Sequence, residues 1–183
     1  MRQDLVSRAQ LGDEAAFAEL ATGVADRLFA VAYRILRDVD AANDATQEAL
    51  VTLWRELPAL RDPDRFEGWA YRIVVNASYA ENRKNRRRLP MALAMPVDTM
   101  DDPIAAVADR EQLERGFGRL PVEQRAALVL QHYLDLSLPQ IAEVMGVPIG
   151  TVRSRLHYAR GAMRSALEAD LRPATASSNG RLA

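Results

Sequence analysis

Residues 137–156 read Ser-Leu-Pro-Gln-Ile-Ala-Glu-Val-Met-Gly-Val-Pro-Ile-Gly-Thr-Val-Arg-Ser-Arg-Leu, and the organisation of the whole chain follows from this stretch. Ser137 carries the hydroxyl of a helix N-cap, Gly146 suits a C-cap, and Pro148 suits the opening of the next helix. Small Ala142 lets two helices approach closely, while Ile141, Val144 and Val147 can pack inward. Two helices around a tight glycine turn are the arrangement of a helix-turn-helix reader. On the second helix, at about 100° per residue, Ile149, Val152, Leu156, Ala159 and Met163 gather into one buried stripe. Gly150, Ser154, His157, Tyr158 and Gly161 point the other way, flanked by Thr151, Arg153, Arg160 and Arg164. A small, polar, basic face of this kind fits a major groove about 12 Å wide. An ordinary helical hairpin shares the periodicity. The order of cap, alanine, glycine turn and basic second helix is more restrictive and favours DNA contact.

Outward from this stretch, apolar residues recur at helical spacing along nearly all of the 183 residues, with no sustained period-two run of β-branched residues. The chain reads as all-α. Two small helical domains joined by a flexible linker are expected, the second a helix-turn-helix (winged-helix-like) domain. Residues 1–88 form the first domain, 89–103 the linker, 104–171 the second domain and 172–183 a disordered tail. In the first domain, a helical stretch over 3–37 breaks near Gly12 and loosens near Gly23. Asp40 is the expected N-cap of a helix stopped by Pro58, a turn follows at 60–65, and a long helix spans 66–88 and ends before Pro90. In the second, Pro121 suits the first turn of a helix ending near Leu134.

Hydrophobic residues make up 49% of the chain and charged residues 27%, which fits a globular protein rather than a disordered or fibrous one. There is no cysteine, so a disulfide framework, thiolate metal sites and cysteine nucleophiles are excluded. The N-terminal sequence lacks the apolar stretch of a signal peptide, and no window reaches the roughly 18 apolar residues of a membrane span. A cytoplasmic protein without membrane insertion is expected. The net charge is only −1, but it is sorted along the chain. Residues 83–88 are Arg-Lys-Asn-Arg-Arg-Arg, whereas 98–114 hold Asp98, Asp101, Asp102, Asp109, Glu111 and Glu114 against the single cation Arg110.

The run Phe66-Glu-Gly-Trp-Ala-Tyr-Arg-Ile-Val-Val-Asn-Ala-Ser-Tyr leads directly into those cations. Aromatic faces followed by clustered arginines suit a single-strand binder, stacking on bases and holding phosphates. A core role competes for Phe66, Trp69 and Ile73, which share one helical stripe. A helix C-terminus attracts one or two cations through its dipole, and five exceed that need.

With both segments described, the chain resembles the extracytoplasmic-function (ECF) group of bacterial RNA polymerase sigma factors over about residues 5–168. The stretches that carry the resemblance are Asp44-Ala-Thr-Gln-Glu-Ala-Leu, Gly68-Trp-Ala-Tyr-Arg-Ile, Leu120-Pro with Gln124-Arg, and Pro148-Ile-Gly-Thr-Val-Arg-Ser-Arg-Leu. It implies a factor that directs core polymerase to promoters and nucleates their melting, with core enzyme and promoter DNA as partners and an anti-sigma factor as a possible third. Polymerase docking would fall to Asp40, Asp44, Gln47 and Glu48. Contacts to the minus-ten element would fall to Arg61, Asp62, Phe66, Asn76, Tyr79, Arg83, Lys84, Arg86, Arg87 and Arg88. The minus-thirty-five element would be met by Thr151, Arg153, Ser154, Arg155, His157, Tyr158 and Arg160, although the wheel turns Arg155 towards the buried stripe. Asn43, Ala80 and Leu138-Pro139-Gln140 depart from the group's usual residues; Ala80 bears on minus-ten specificity.

A helix-turn-helix regulator acting on duplex DNA without polymerase is the alternative. An enzyme is not expected, because no nucleophile with a base, glycine-rich phosphate loop or metal-ligand spacing occurs. No cofactor or metal is expected either, His132 and His157 being the only imidazoles.

Overall fold

The computed structural model describes residues 2–88 and 113–170. The expected linker over 89–103 and the tail over 172–183 lie outside the described residues, as do 104–112 of the second domain. Among the described residues every regular element is helical, and no helix is long and apolar enough to cross a membrane.

The first half comprises α1 (Arg2–Gln10), α2 (Glu14–Leu36), α3 (Val39–Glu56) and α4 (Phe66–Arg88), with two single turns of 3-10 helix between α3 and α4. Gly12 makes the α1–α2 turn at φ 92, and Asp13 caps α2 by accepting from the Ala16 amide at 2.9 Å. Gly23 does not loosen α2, which is continuous to Leu36. The buried stripe Leu20, Val24, Leu28, Val31 and Ile35 outweighs the roughly 1 kcal/mol that a glycine costs inside a helix. The N-cap of α3 is Asp38, accepting from the Ala41 amide at 2.8 Å, and Asp40 instead lies in the first turn. Ala41, Ala42, Ala45 and Ala49 give α3 a small buried face, against which α2 and α4 lie close.

The second half contains α5 (113–118), α6 (Val122–His132), α7 (Leu138–Met145) and α8 (Ile149–Asp170). Pro121 stands just before α6, as its N-cap residue. The Gln140 side-chain oxygen accepts from the Ser137 amide and hydroxyl at 2.9 and 2.6 Å, and Gly146 ends α7 at φ 64. Val152, Leu156 and Ala159 are buried as the wheel requires, whereas Ile149 remains 39% exposed. A Cβ at Gly116 would lie 3.0 Å from the Ala166 Cβ, so α5 meets α8 where only glycine fits without displacement.

The halves are not separate. α2 packs on α6, α4 packs on α6 and α7, and buried residues from both halves form one continuous cluster. The reason lies in α6, where residues 125–130 are all buried. A helix apolar on every side must be covered on every side, and α8 and α7 cover only part of it.

Candidate nucleic-acid and polymerase interfaces

On α8, Gly150, Arg153, Ser154, His157, Tyr158, Arg160 and Gly161 are all exposed, opposite the buried Val152, Leu156 and Ala159. Local bonds fix several of these. Ser154 Oγ donates to the Thr151 carbonyl at 2.9 Å, Arg160 donates to Gln131 Oε1 at 2.7 Å, and the His157 and Tyr158 rings meet edge-on at 5.6 Å. Thr151 is half-buried at the rim. Arg155 departs from the set: it is half-buried and near enough to Tyr79 of α4 to act on its hydroxyl.

The turn before α4 is held by Asp62, whose Oδ1 accepts from the Asp64 amide at 3.0 Å, and by the Gln3 side chain, which donates to Asp64. Arg61 and Asp62 are exposed. Phe66 is 2% exposed and belongs to the core, so its ring cannot stack on a base while the fold is intact. Asn76 is exposed on a stripe of α4 that also presents Arg72, Arg83 and Arg87. Arg72 was not singled out in the sequence, although it stands four residues before Asn76 and so shares its face. Arg86 is exposed, while the side chain of Arg88 lies outside the described residues. Lys84 is exposed, with its Nζ 3.1 Å from Glu81 and 3.7 Å from Asp44.

Tyr79 is half-buried where the two halves meet, and its hydroxyl has no hydrogen-bond partner. Burial pushes its ionisation up to about 12, with Arg155 opposing and Glu123 adding to the rise. An ordinary tyrosine titrates near 10. The native state therefore keeps its proton where the unfolded chain has lost it, and stability falls as pH rises from about 10 to about 12. A Tyr79→Phe variant is expected to lose less stability than the wild type over that window in urea titrations; identical losses would refute the assignment.

On α3, Asp40, Asp44, Gln47 and Glu48 share one exposed face. Val51 and Trp54 continue it at 57% and 41% exposure, with Phe17 edge-on to Trp54 at 4.7 Å. Neither apolar residue was singled out from the sequence, where a half-exposed tryptophan looks like any other helical apolar position.

An all-α body with an outward basic helix-turn-helix face has the construction of a DNA-binding protein. Comparison with known proteins narrows the class. Residues 20–88 match the Sigma-70 region 2 family and residues 110–163 match Sigma-70, region 4. The RNA polymerase sigma-H factor of Pseudomonas aeruginosa is 34% identical over 186 residues, covering 94% of this chain and 96% of that protein. ECF RNA polymerase sigma factor SigM of Mycobacterium tuberculosis is 33% identical over 157 residues, 86% of this chain and 80% of that one. CnrH, solved in complex with the cytosolic domain of CnrY, superposes with a TM-score of 0.67 at 25% identity, covering 92% of this chain and 98% of that chain. This chain belongs to the ECF group of RNA polymerase sigma factors. A regulator acting without polymerase is not favoured.

Proposed function

We propose that the chain directs core polymerase to its promoters through three faces: α3 docks on the enzyme, the turn at 61–66 with α4 engages the minus-ten element, and α8 reads the minus-thirty-five element. The observation that carries this reading is the outward set Arg153, Ser154, His157 and Tyr158 on a helix whose opposite side buries Val152, Leu156 and Ala159. Residues 1–88 and 104–171 are the two functional modules and 89–103 their connection. The chain works in the cytoplasm, contributes no catalytic group of its own, and is open to restraint by an anti-sigma protein.

Energetics favour a partner-dependent mechanism. Separating DNA costs about 1.4 kcal/mol per base-pair step, so a bubble of roughly ten pairs costs on the order of 14 kcal/mol. One or two captured bases return about 1–3 kcal/mol each. The chain therefore nucleates opening, and the polymerase supplies the remaining contacts.

The test is transcription from a genomic fragment library by core polymerase with the full-length chain, reading RNA 5′ ends. Discrete start sites with shared upstream sequence are expected. Arg153→Ala/Ser154→Ala/His157→Ala should lower output from those sites at least about a hundredfold, since each base contact is worth about 1–3 kcal/mol. Unchanged output from the triple variant, or no discrete starts with the wild type, would remove the reading.

A further inference from the structure

The segment that carries the minus-ten turn has little regular structure of its own. Residues 57–65 consist of two single turns of 3-10 helix, Leu57–Ala59 and Pro63–Arg65, with Leu60, Arg61 and Asp62 between them. Such turns close through short i to i+3 bonds of poor geometry. Here the Leu60 N–H donates to the Leu57 carbonyl at 3.1 Å and the Arg65 N–H to the Asp62 carbonyl at 3.0 Å. Pro58 and Pro63 have no N–H to give. A segment built this way opens readily unless bonds from outside hold it.

The first helix, α1, supplies those bonds. Gln10 donates from Nε2 to the Leu57 carbonyl at 3.1 Å and to the Leu60 carbonyl at 2.6 Å, in a partly buried setting. Two carbonyl acceptors fix the direction of that amide, because its own oxygen in the same place would face both. At the far end of the segment, Gln3 donates to the Asp64 side chain. Gln3 and Gln10 stand seven residues apart, about two helical turns, and so share one side of α1. The helix thus runs alongside residues 57–65, holding the first turn through Gln10 and the second through Gln3.

α1 is itself tied down. Val6, between the two glutamines, and Ala9 are buried, and the helix lies against α2. Arg8 donates from Nε and Nη2 to Asp13 Oδ2 at 3.0 and 2.7 Å, while Asp13 Oδ1 caps α2. The position of the turn is therefore set from the start of α2, through α1, rather than by the turn's own residues. A loop ordered before its ligand arrives does not lose that freedom on binding.

We propose that α1 is a brace for the minus-ten turn and that Gln10 is a positioning residue for base capture, keeping residues 57–65 in their receiving form before DNA is present. The capture part rests on the minus-ten reading above, whereas the brace does not.

Gln10→Met keeps the reach of the side chain and removes both bonds; Gln10→Lys restores donors on an ammonium group. In the free full-length protein, hydrogen exchange at Leu60, Asp64 and Arg65 is expected to speed at least about tenfold in Gln10→Met, with α4 unchanged, and to slow again in Gln10→Lys. Wild-type exchange in Gln10→Met would overturn the brace. Capture is read with core polymerase on DNA forks built from one of the start sites mapped above, a single abasic site being moved through the unpaired strand. The wild type should lose about tenfold in affinity at one abasic position, the value of one stacked base. A turn in its receiving form in only about one chain in ten weakens capture by the same factor. Gln10→Met should then bind the intact fork about tenfold less tightly and that abasic fork as the wild type does, and Gln10→Lys should regain the difference. Faster exchange with both forks weakened alike would overturn the role in capture. No abasic penalty at any position in the wild type would overturn the minus-ten reading and the capture role with it, while the brace stands or falls by exchange alone.

Discussion

Replacing Asp44 and Glu48 together by arginine is expected to separate the chain from core polymerase, with binding weakened at least about a hundredfold and promoter-directed transcription lost. Both side chains are exposed and lie four residues apart on α3, on the face shared with Asp40 and Gln47. Neither serves the core. Asp44 pairs with Lys84 at 3.7 Å, exposed on both sides, and pairs of that kind contribute about 0–1 kcal/mol. Folding should therefore survive. Docking should not, because a surface that attracts acids repels the two new cations, and like charges brought together across an interface cost several kcal/mol. The apolar end of the face gives a second, smaller effect: Val51→Asp should weaken docking about tenfold. Affinity is read by co-elution and by fluorescence titration against core enzyme, with thermal melts as the folding control. A folded Asp44→Arg/Glu48→Arg protein that binds core as the wild type does would show that another face docks.

Legibility in the sequence followed the range of the signal. Ser137, Gly146 and the stripe Val152, Leu156 and Ala159 act over one to three helical turns, so periodicity and capping chemistry alone placed α7, α8 and the outward side of α8. Asp38 and Asp40 are two acids two residues apart, and composition could not decide between them; the N-cap is the one whose backbone stays extended, φ −142, before the helix begins. Closure of the two halves was less visible. It was written in Ala126-Ala-Leu-Val-Leu130, apolar on all sides of α6, but such a run states only that both sides are covered and does not name the cover. Tyr79 and Arg155 suffered from the same gap. Their faces were assigned on isolated helices, and each is half-covered because another helix arrives from more than 40 positions away.

Phe66→Ala is expected to cost about 3–5 kcal/mol of folding stability, the usual loss for a buried phenylalanine. The ring is 2% exposed at the start of α4, packed with Trp69 at a centroid distance of 6.1 Å, and joined to the cluster that includes Leu53, Leu57 and Ala70. In the sequence the same residue stood next to a turn and ahead of a basic run, where a stacking platform for an unpaired base competed with a core role. Burial separates the two roles by what each variant keeps. A core ring makes Phe66→Ala strongly destabilised in urea, and Phe66→Leu, which refills most of the volume, only mildly so. Phe66→Leu should then bind DNA and support transcription as the wild type does. A stacking ring predicts the reverse: little change in the urea midpoint, and a loss of about 1–3 kcal/mol in affinity for single-stranded DNA in both variants. With total stability typically about 5–15 kcal/mol, the core role also makes Phe66→Ala the substitution most prone to populate unfolded chain. Wild-type stability in Phe66→Ala would place the ring outside the core and return it to the DNA face.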